Sequence, residues 1–184
     1  MTYLVKGSLQ EITQASGRSL AETFLNVDAI VLVDMSGSMA ANDAPGGLSR
    51  YKMAESELAK LQNELPGKIA VIAFSSFALF CPTGKPERLG ASTDMVEALN
   101  FVKIADDTGI RFIMVSDGYP NDSEDTLRIA RTFKSKIDTV FIGPEGVSNG
   151  RDFLERLAQA TGGQFYKSKE IGLLAEPIKL LLGM

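Results

Sequence analysis

Ala29-Ile30-Val31-Leu32-Val33-Asp34-Met35-Ser36-Gly37-Ser38 is the stretch on which the fold turns. Its first five residues are apolar and rich in β-branched side chains, and a polar turn follows at once. That is the pattern of a parallel strand covered by helices on both faces. Ligands of open α/β sheets bind outside the carboxyl ends of such strands, so Asp34, Ser36 and Ser38 arrive where a ligand would sit. Gly37 lets the loop turn tightly enough for both hydroxyls to aim at one spot. An acid and two hydroxyls at alternate positions are hard oxygen donors of the kind a hard divalent cation takes. The same residue types also cap helices, and this segment alone leaves both readings open.

Two further segments bear on that choice. Arg111-Phe112-Ile113-Met114-Val115-Ser116 predicts a second buried strand, followed by Asp117 and the turn formers Gly118, Tyr119, Pro120 and Asn121. A second carboxylate thereby reaches the same sheet edge. Between the two strands, Gly90-Ala91-Ser92-Thr93 opens a helical pattern with Met95, Val96, Leu99 and Val102 apolar, which puts a third hydroxyl at a helix start. Singly, Thr93 reads as an N-cap and Asp117 as a turn residue. Jointly, the three segments fit a shared cation site better.

Elsewhere helices and strands alternate. Arg50 to Leu65 carries Met53, Leu58 and Leu61 on one face and stops at Pro66-Gly67, which makes it the first crossover helix. Lys68 to Ser75 predicts a strand. Phe77 to Cys81 follows so closely that it must return antiparallel, as an edge strand ended by Pro82. Asp122 to Lys136 predicts a helix, Ile137 to Ile142 a strand, Arg151 to Ala160 a helix, Gln164 to Tyr166 a short strand and Ile171 to Leu182 a closing helix. The alternation predicts an α/β fold with a mostly parallel sheet between helical layers.

From Val27 to its C-terminus the chain resembles a von Willebrand factor A domain with a metal-ion-dependent adhesion site. The family's D-x-S-x-S after the first strand falls on Asp34, Ser36 and Ser38, its later threonine on Thr93, and its aspartate after the fourth strand on Asp117. Gly90-Ala91-Ser92 departs from the family's glycine-rich approach to that threonine. The resemblance implies a Rossmann-like three-layer αβα sandwich of sheet order 3-2-1-4-5-6 over residues 27–184; residues 1–26 fall outside it and are expected to be an N-terminal extension packing on the domain or on a partner. In that order the strands before Asp34 and Asp117 are neighbours, about 4.8 Å apart. The two acids would then share a cation directly or through a water, and without one would repel by about 3 kcal/mol at an effective dielectric near 20. The implied cation is Mg²⁺, with Mn²⁺ as a substitute. The implied partner is a protein whose Glu or Asp completes the coordination sphere. Members of the family serve in adhesion, in AAA+ ATPase and chelatase complexes, and in stress-response operons.

Composition narrows the function further. With 184 residues, 45% of them hydrophobic, the chain can bury one sizeable core. No apolar run is long enough to span a bilayer, and Met1-Thr2-Tyr3-Leu4-Val5-Lys6 lacks the long apolar region of a signal peptide, so a cytoplasmic location is the default expectation. Cys81 has no second cysteine to pair with, which fits a reducing compartment. There is no histidine, so zinc sites of the usual kinds and Ser-His-Asp or Cys-His catalysis are excluded. A net charge of -4 argues against a nucleic-acid surface. Met35 and Met39 are candidates for an adaptable rim around the site or for packing beneath it.

Enzyme readings meet missing parts. A phosphotransferase of the haloacid dehalogenase type needs a second Asp where this chain has Ser36. Cys81 and Arg88 stand one residue too far apart for a tyrosine-phosphatase loop, and no P-loop lysine follows Gly143-Pro144-Glu145-Gly146. The expectation is a metal-dependent binding module and not an enzyme. The alternatives are a metal-assisted phosphohydrolase and a structural subunit with an idle metal site.

Overall fold

The apolar runs pair into one sheet, and the amphipathic runs between them cover its two faces. In the computed structural model, which describes residues 3–43, 47–143, 148–167 and 175–183, the elements in chain order are α1 (Leu9–Ser16), α2 (Leu20–Phe24), β1 (Ala29–Asp34), α3 (Arg50–Glu64), β2 (Ile69–Phe74), β3 (Ala78–Phe80), α4 (Met95–Val102), β4 (Arg111–Ser116), α5 (Ser123–Ala130), β5 (Ile137–Phe141), α6 (Ser148–Thr161), β6 (Phe165–Lys167) and α7 (Ala175–Leu181). The six strands lie in the order β3-β2-β1-β4-β5-β6. All neighbours are parallel except β2 and β3. This is the expected mostly parallel, Rossmann-like sheet with an antiparallel edge strand.

Every residue of β1 is buried, because alternate side chains feed two separate cores. Ile30 and Leu32 join Phe112, Met114, Leu99, Phe153 and Leu157, under the α4, α5 and α6 layer. Val31 and Val33 join Ile113, Val115, Leu58, Leu61 and Ile178, under α3 and α7. Each large apolar side chain so buried stabilises the fold by about 1.5–3 kcal/mol, which fixes the register and hence what emerges at the strand ends. Val33 lies opposite Val115, so Asp34 leaves the sheet beside Ser116 and Asp117.

Three elements differ from the sequence reading. Residues 9–16, within the N-terminal extension for which the sequence predicts no element, form α1. Ser8 Oγ accepts the Glu11 N–H at 3.3 Å, the Glu11 carboxylate accepts the Gly7 N–H at 2.6 Å, and Gly17 closes the helix with φ 69°. The helix α5 ends at Ala130 and does not run to Lys136, because the Asp106 carboxylate accepts the N–H groups of Lys134 and Ser135 and draws the chain away while Phe133 packs edge-on against Phe112. The helix α6 begins at Ser148, ahead of Arg151. Residues 171–174 of the expected closing helix lie outside the described residues, as do 144–147 of the glycine-bearing loop.

The segment ahead of β1 is tied to the body by backbone hydrogen bonds. Val5 N donates to Thr83 O at 3.0 Å, Gln10 N to Pro82 O at 2.9 Å, and Gly67 N to Gly7 O at 2.9 Å. Gly7 has φ 81°, and a Cβ there would stand 1.8 Å from the Gln62 carbonyl oxygen, so only glycine fits.

Candidate metal centre

At the carboxyl end of the sheet three loops meet. β1 delivers Asp34 into a turn that becomes a short 3-10 helix, Gly37–Ala40, with Met39 N donating to Ser36 O at 3.2 Å. This turn sets Ser36 Oγ and Ser38 Oγ 3.1 Å apart. Ser38 Oγ donates to Asp117 Oδ1 at 2.8 Å, joining the first loop to the one after β4. Thr93 enters on the third loop. Its N–H donates to Asn121 Oδ1 at 3.2 Å, and its carbonyl accepts the Asn121 N–H at 3.0 Å. On the other side Ser75 Oγ donates to Ser92 O at 2.7 Å, tethering that loop to the end of β2.

All of the sequence-predicted residues therefore lie at one edge, and two of them, Asp34 and Thr93, border the space beside Gly118. A Cβ placed on Gly118 would have Thr93 Oγ1 at 3.5 Å, Asp34 Oδ2 at 3.7 Å and Ser116 Oγ at 3.8 Å as its nearest neighbours. The glycine thus leaves a cradle walled by oxygen atoms. Among the described residues no three acids, cysteines or histidines converge on one point. The donor set here is two carboxylates and three hydroxyls, which fits a hard cation that keeps some of its waters. Asp34, Ser36, Thr93 and Asp117 are all buried.

Burial governs the charge of Asp34. Its carboxyl is pushed up to about 6, chiefly by removal from water, against the lowering effect of hydrogen bonds from Ser116 and Ser36. Asp34 Oδ2 accepts from Ser116 Oγ at 2.6 Å, and Oδ1 from the Ser36 N–H at 2.8 Å. Repulsion from Asp117 is the smallest of these influences. The expected strain of two facing acids is therefore small beside the cost of burial, and Asp117 has a counter-ion of its own. Arg50, the first residue of α3, donates from Nη1 to Asp117 Oδ2 and from Nε to Asp43 Oδ1 at 2.8 Å, while its Nη2 pairs with Asp43 Oδ2.

Ser116, Arg50, Asp43 and Asn121 adjoin the candidate site beyond the residues that the sequence predicts for it. Ser116 had a signal, a hydroxyl ending an otherwise apolar strand. Arg50 had a fainter one, since a cation on the first turn of a helix opposes the helix dipole and calls for an acidic partner. Asp43 and Asn121 lie in turn-forming stretches with no local mark. Met35 and Met39 are 2% and 1% exposed, so they are packing beneath the loop and not a rim. Tyr119, 52% exposed and edge-on to Phe153, does stand on the outer surface beside the cradle. Cys81 is buried and its thiol is pushed up by that burial, the opposite of a nucleophile's environment.

The architecture is that of a von Willebrand factor A-like α/β fold. An aerotolerance-related membrane protein from Bacteroides fragilis superimposes with a TM-score of 0.66 at 14% identity, over 85% of this chain and 98% of that one. BatB from Bacteroides thetaiotaomicron gives 0.59 at 16% identity, over 86% of this chain and 100% of the other. A von Willebrand factor type A protein from Catenulispora acidiphila gives 0.58 at 18% identity, with 84% of this chain matched to 41% of that one. By sequence, neither a family profile nor a curated protein matches the chain. Such identities establish the fold alone. No described helix is long and apolar enough to cross a membrane.

Proposed function

We propose that the chain is a metal-dependent protein-protein interaction module. Asp34, Ser36, Ser38, Thr93 and Asp117 would hold Mg²⁺, or Mn²⁺ in its place, and a Glu or Asp of a partner protein would complete the coordination. The observation that carries this reading is the gathering of oxygen side chains from three loops at one sheet edge, with Asp34 and Thr93 beside Gly118 and Ser36, Ser38 and Asp117 joined by hydrogen bonds. When bound, the cation supplies an electrophilic centre for an outside carboxylate. The chain's own residues do the rest. Ser116 and the Ser36 N–H aim Asp34, Asn121 clasps the Thr93 loop, and Ser38 links the first and last ligands.

The module has no obvious means of catalysis. It has no histidine, Cys81 is buried, and the acids nearest the cradle are those that would ligate the cation. This favours binding over a metal-assisted phosphohydrolase. We place the module in the cytoplasm, and the family resemblance suggests an AAA+ ATPase, chelatase-like or stress-response complex as its setting. Capture of partners on the immobilised protein in Mg²⁺, followed by elution with EDTA, tests the reading. Partners released by EDTA and absent with Asp34→Ala support it. The Arg50 ion pair on Asp117 favours a second reading, a structural subunit whose site takes no metal, and partners retained in EDTA would favour that one.

A further inference from the structure

Both oxygens of Asp117 are already engaged, one by the Ser38 hydroxyl and one by the Arg50 guanidinium. The Asp117 side chain is fully buried and that of Arg50 is 11% exposed, so this pair is little screened by water. Arginine remains charged at every pH at which the fold persists, and cannot leave Asp117 by losing a proton. A cation that takes the Asp117 oxygen held by Arg50 would therefore displace a permanent positive charge. Asp43 makes such a displacement feasible. Its 40% exposed carboxylate takes Nε and Nη2 of the same guanidinium, the two-pronged geometry in which arginine binds acids best.

Building on the cation-site reading, we propose that Arg50 is the residue that sets the affinity and the charge selectivity of this site. It is an internal counter-ion on Asp117 that an incoming cation displaces, and Asp43 is the carboxylate that keeps the guanidinium paired after displacement. A monovalent ion offers Asp117 no more charge than the guanidinium it would remove, whereas a divalent ion offers twice as much. The site is thereby closed to the abundant monovalent ions. The device also keeps Asp117 itself from being a buried unpaired carboxylate in the cation-free state.

Calorimetric titration of the protein with Mn²⁺, in wild type, Arg50→Gln, Arg50→Lys and Asp43→Asn, tests this. Arg50→Gln should bind Mn²⁺ at least ten-fold more tightly than wild type, since Asp117 is then free. Asp43→Asn should bind several-fold more weakly, because the guanidinium loses its other partner and stays on Asp117. Arg50→Lys keeps the charge but cannot span both acids, and should fall between wild type and Arg50→Gln. A purely long-range charge effect would leave the lysine variant equal to wild type, and that result would overturn the proposal. So would an Arg50→Gln protein that folds but binds Mn²⁺ no better, showing Arg50 to be a prop for the ligands. Should Arg50→Gln not fold, the lysine and Asp43 variants decide. A silent wild type with a binding Arg50→Gln variant supports the proposal in its strongest form, while silence in all four proteins overturns both it and the cation-site reading.

Discussion

Replacing Asp34 by Asn removes a buried charge while keeping the shape of the side chain, and the structure allows the result to be worked out. The Asp34 carboxyl is raised from 3.8 to about 6. At 1.36 kcal/mol per pH unit, keeping it ionised costs the metal-free fold on the order of 3 kcal/mol. The sign follows from proton binding. Between pH 3.8 and about 6 the native state holds a proton that the unfolded chain has lost, so stability falls as pH rises through that window and the full penalty applies above it. Asparagine carries no charge at any of these pH values. It keeps an acceptor for the Ser36 N–H and turns its amide towards Ser116 Oγ, a rearrangement that costs about 1 kcal/mol. In EDTA at pH 8, Asp34→Asn should therefore be about 1–2 kcal/mol more stable than wild type in urea unfolding. The advantage should shrink as pH falls and be gone by about pH 4. A variant at least about 2 kcal/mol less stable at pH 8, with the deficit unchanged at pH 4, would refute the reasoning and make Asp34 a structural hydrogen-bond hub.

Other perturbations separate the site from the scaffold. Gly118→Ala puts a methyl group among Thr93, Asp34 and Ser116 at ordinary contact distances; it should change stability by less than about 1 kcal/mol yet abolish the rise in melting temperature caused by Mn²⁺, and an undiminished rise would contradict the cradle. Gly7→Ala forces a side chain onto the Gln62 carbonyl at positive φ and should cost about 3 kcal/mol or more in urea unfolding; a loss under about 1 kcal/mol would mean that this contact contributes little. Burial alone would raise the Asp106 carboxyl, but hydrogen bonds from Lys103 and from the Ser135 and Lys134 N–H groups hold it at about 2. Asp106→Ala should cost about 1.5–3 kcal/mol at neutral pH. Because the Asp106 contribution is present above pH 3.8 and lost as pH falls through about 2, wild type and variant should converge in acid, and a gap that persists at pH 2 would point to packing.

The parts of the fold legible in the sequence were those with a local cause. β1, β2 and β4 carry continuous apolar runs because both of their faces are covered, and β3 had to return antiparallel because too few residues separate it from β2. The end of α5 was not legible. Phe133 keeps helical spacing from Ala130 in the sequence, yet it belongs to a turn fixed by Asp106, a residue 28 positions away from Lys134. α1 was hidden by its polar outer face, although Ser8 and Glu11 stand at cap spacing and Gly17 at the stop. Within the candidate site, Asp34, Ser36 and Ser38 announced themselves because they are neighbours on one turn. Arg50 did not, because its meaning lies in Asp117, 67 residues on.

The central claim concerns where a cation sits, and anomalous diffraction from a crystal soaked in Mn²⁺ tests it most directly. The account predicts one strong manganese peak in the cradle beside Gly118, within direct or water-mediated reach of Ser36, Ser38, Thr93, Asp34 and Asp117, with the Arg50 guanidinium moved off Asp117 and still on Asp43. A map with no peak at this edge at high millimolar Mn²⁺, and Arg50 still paired to Asp117, would contradict it.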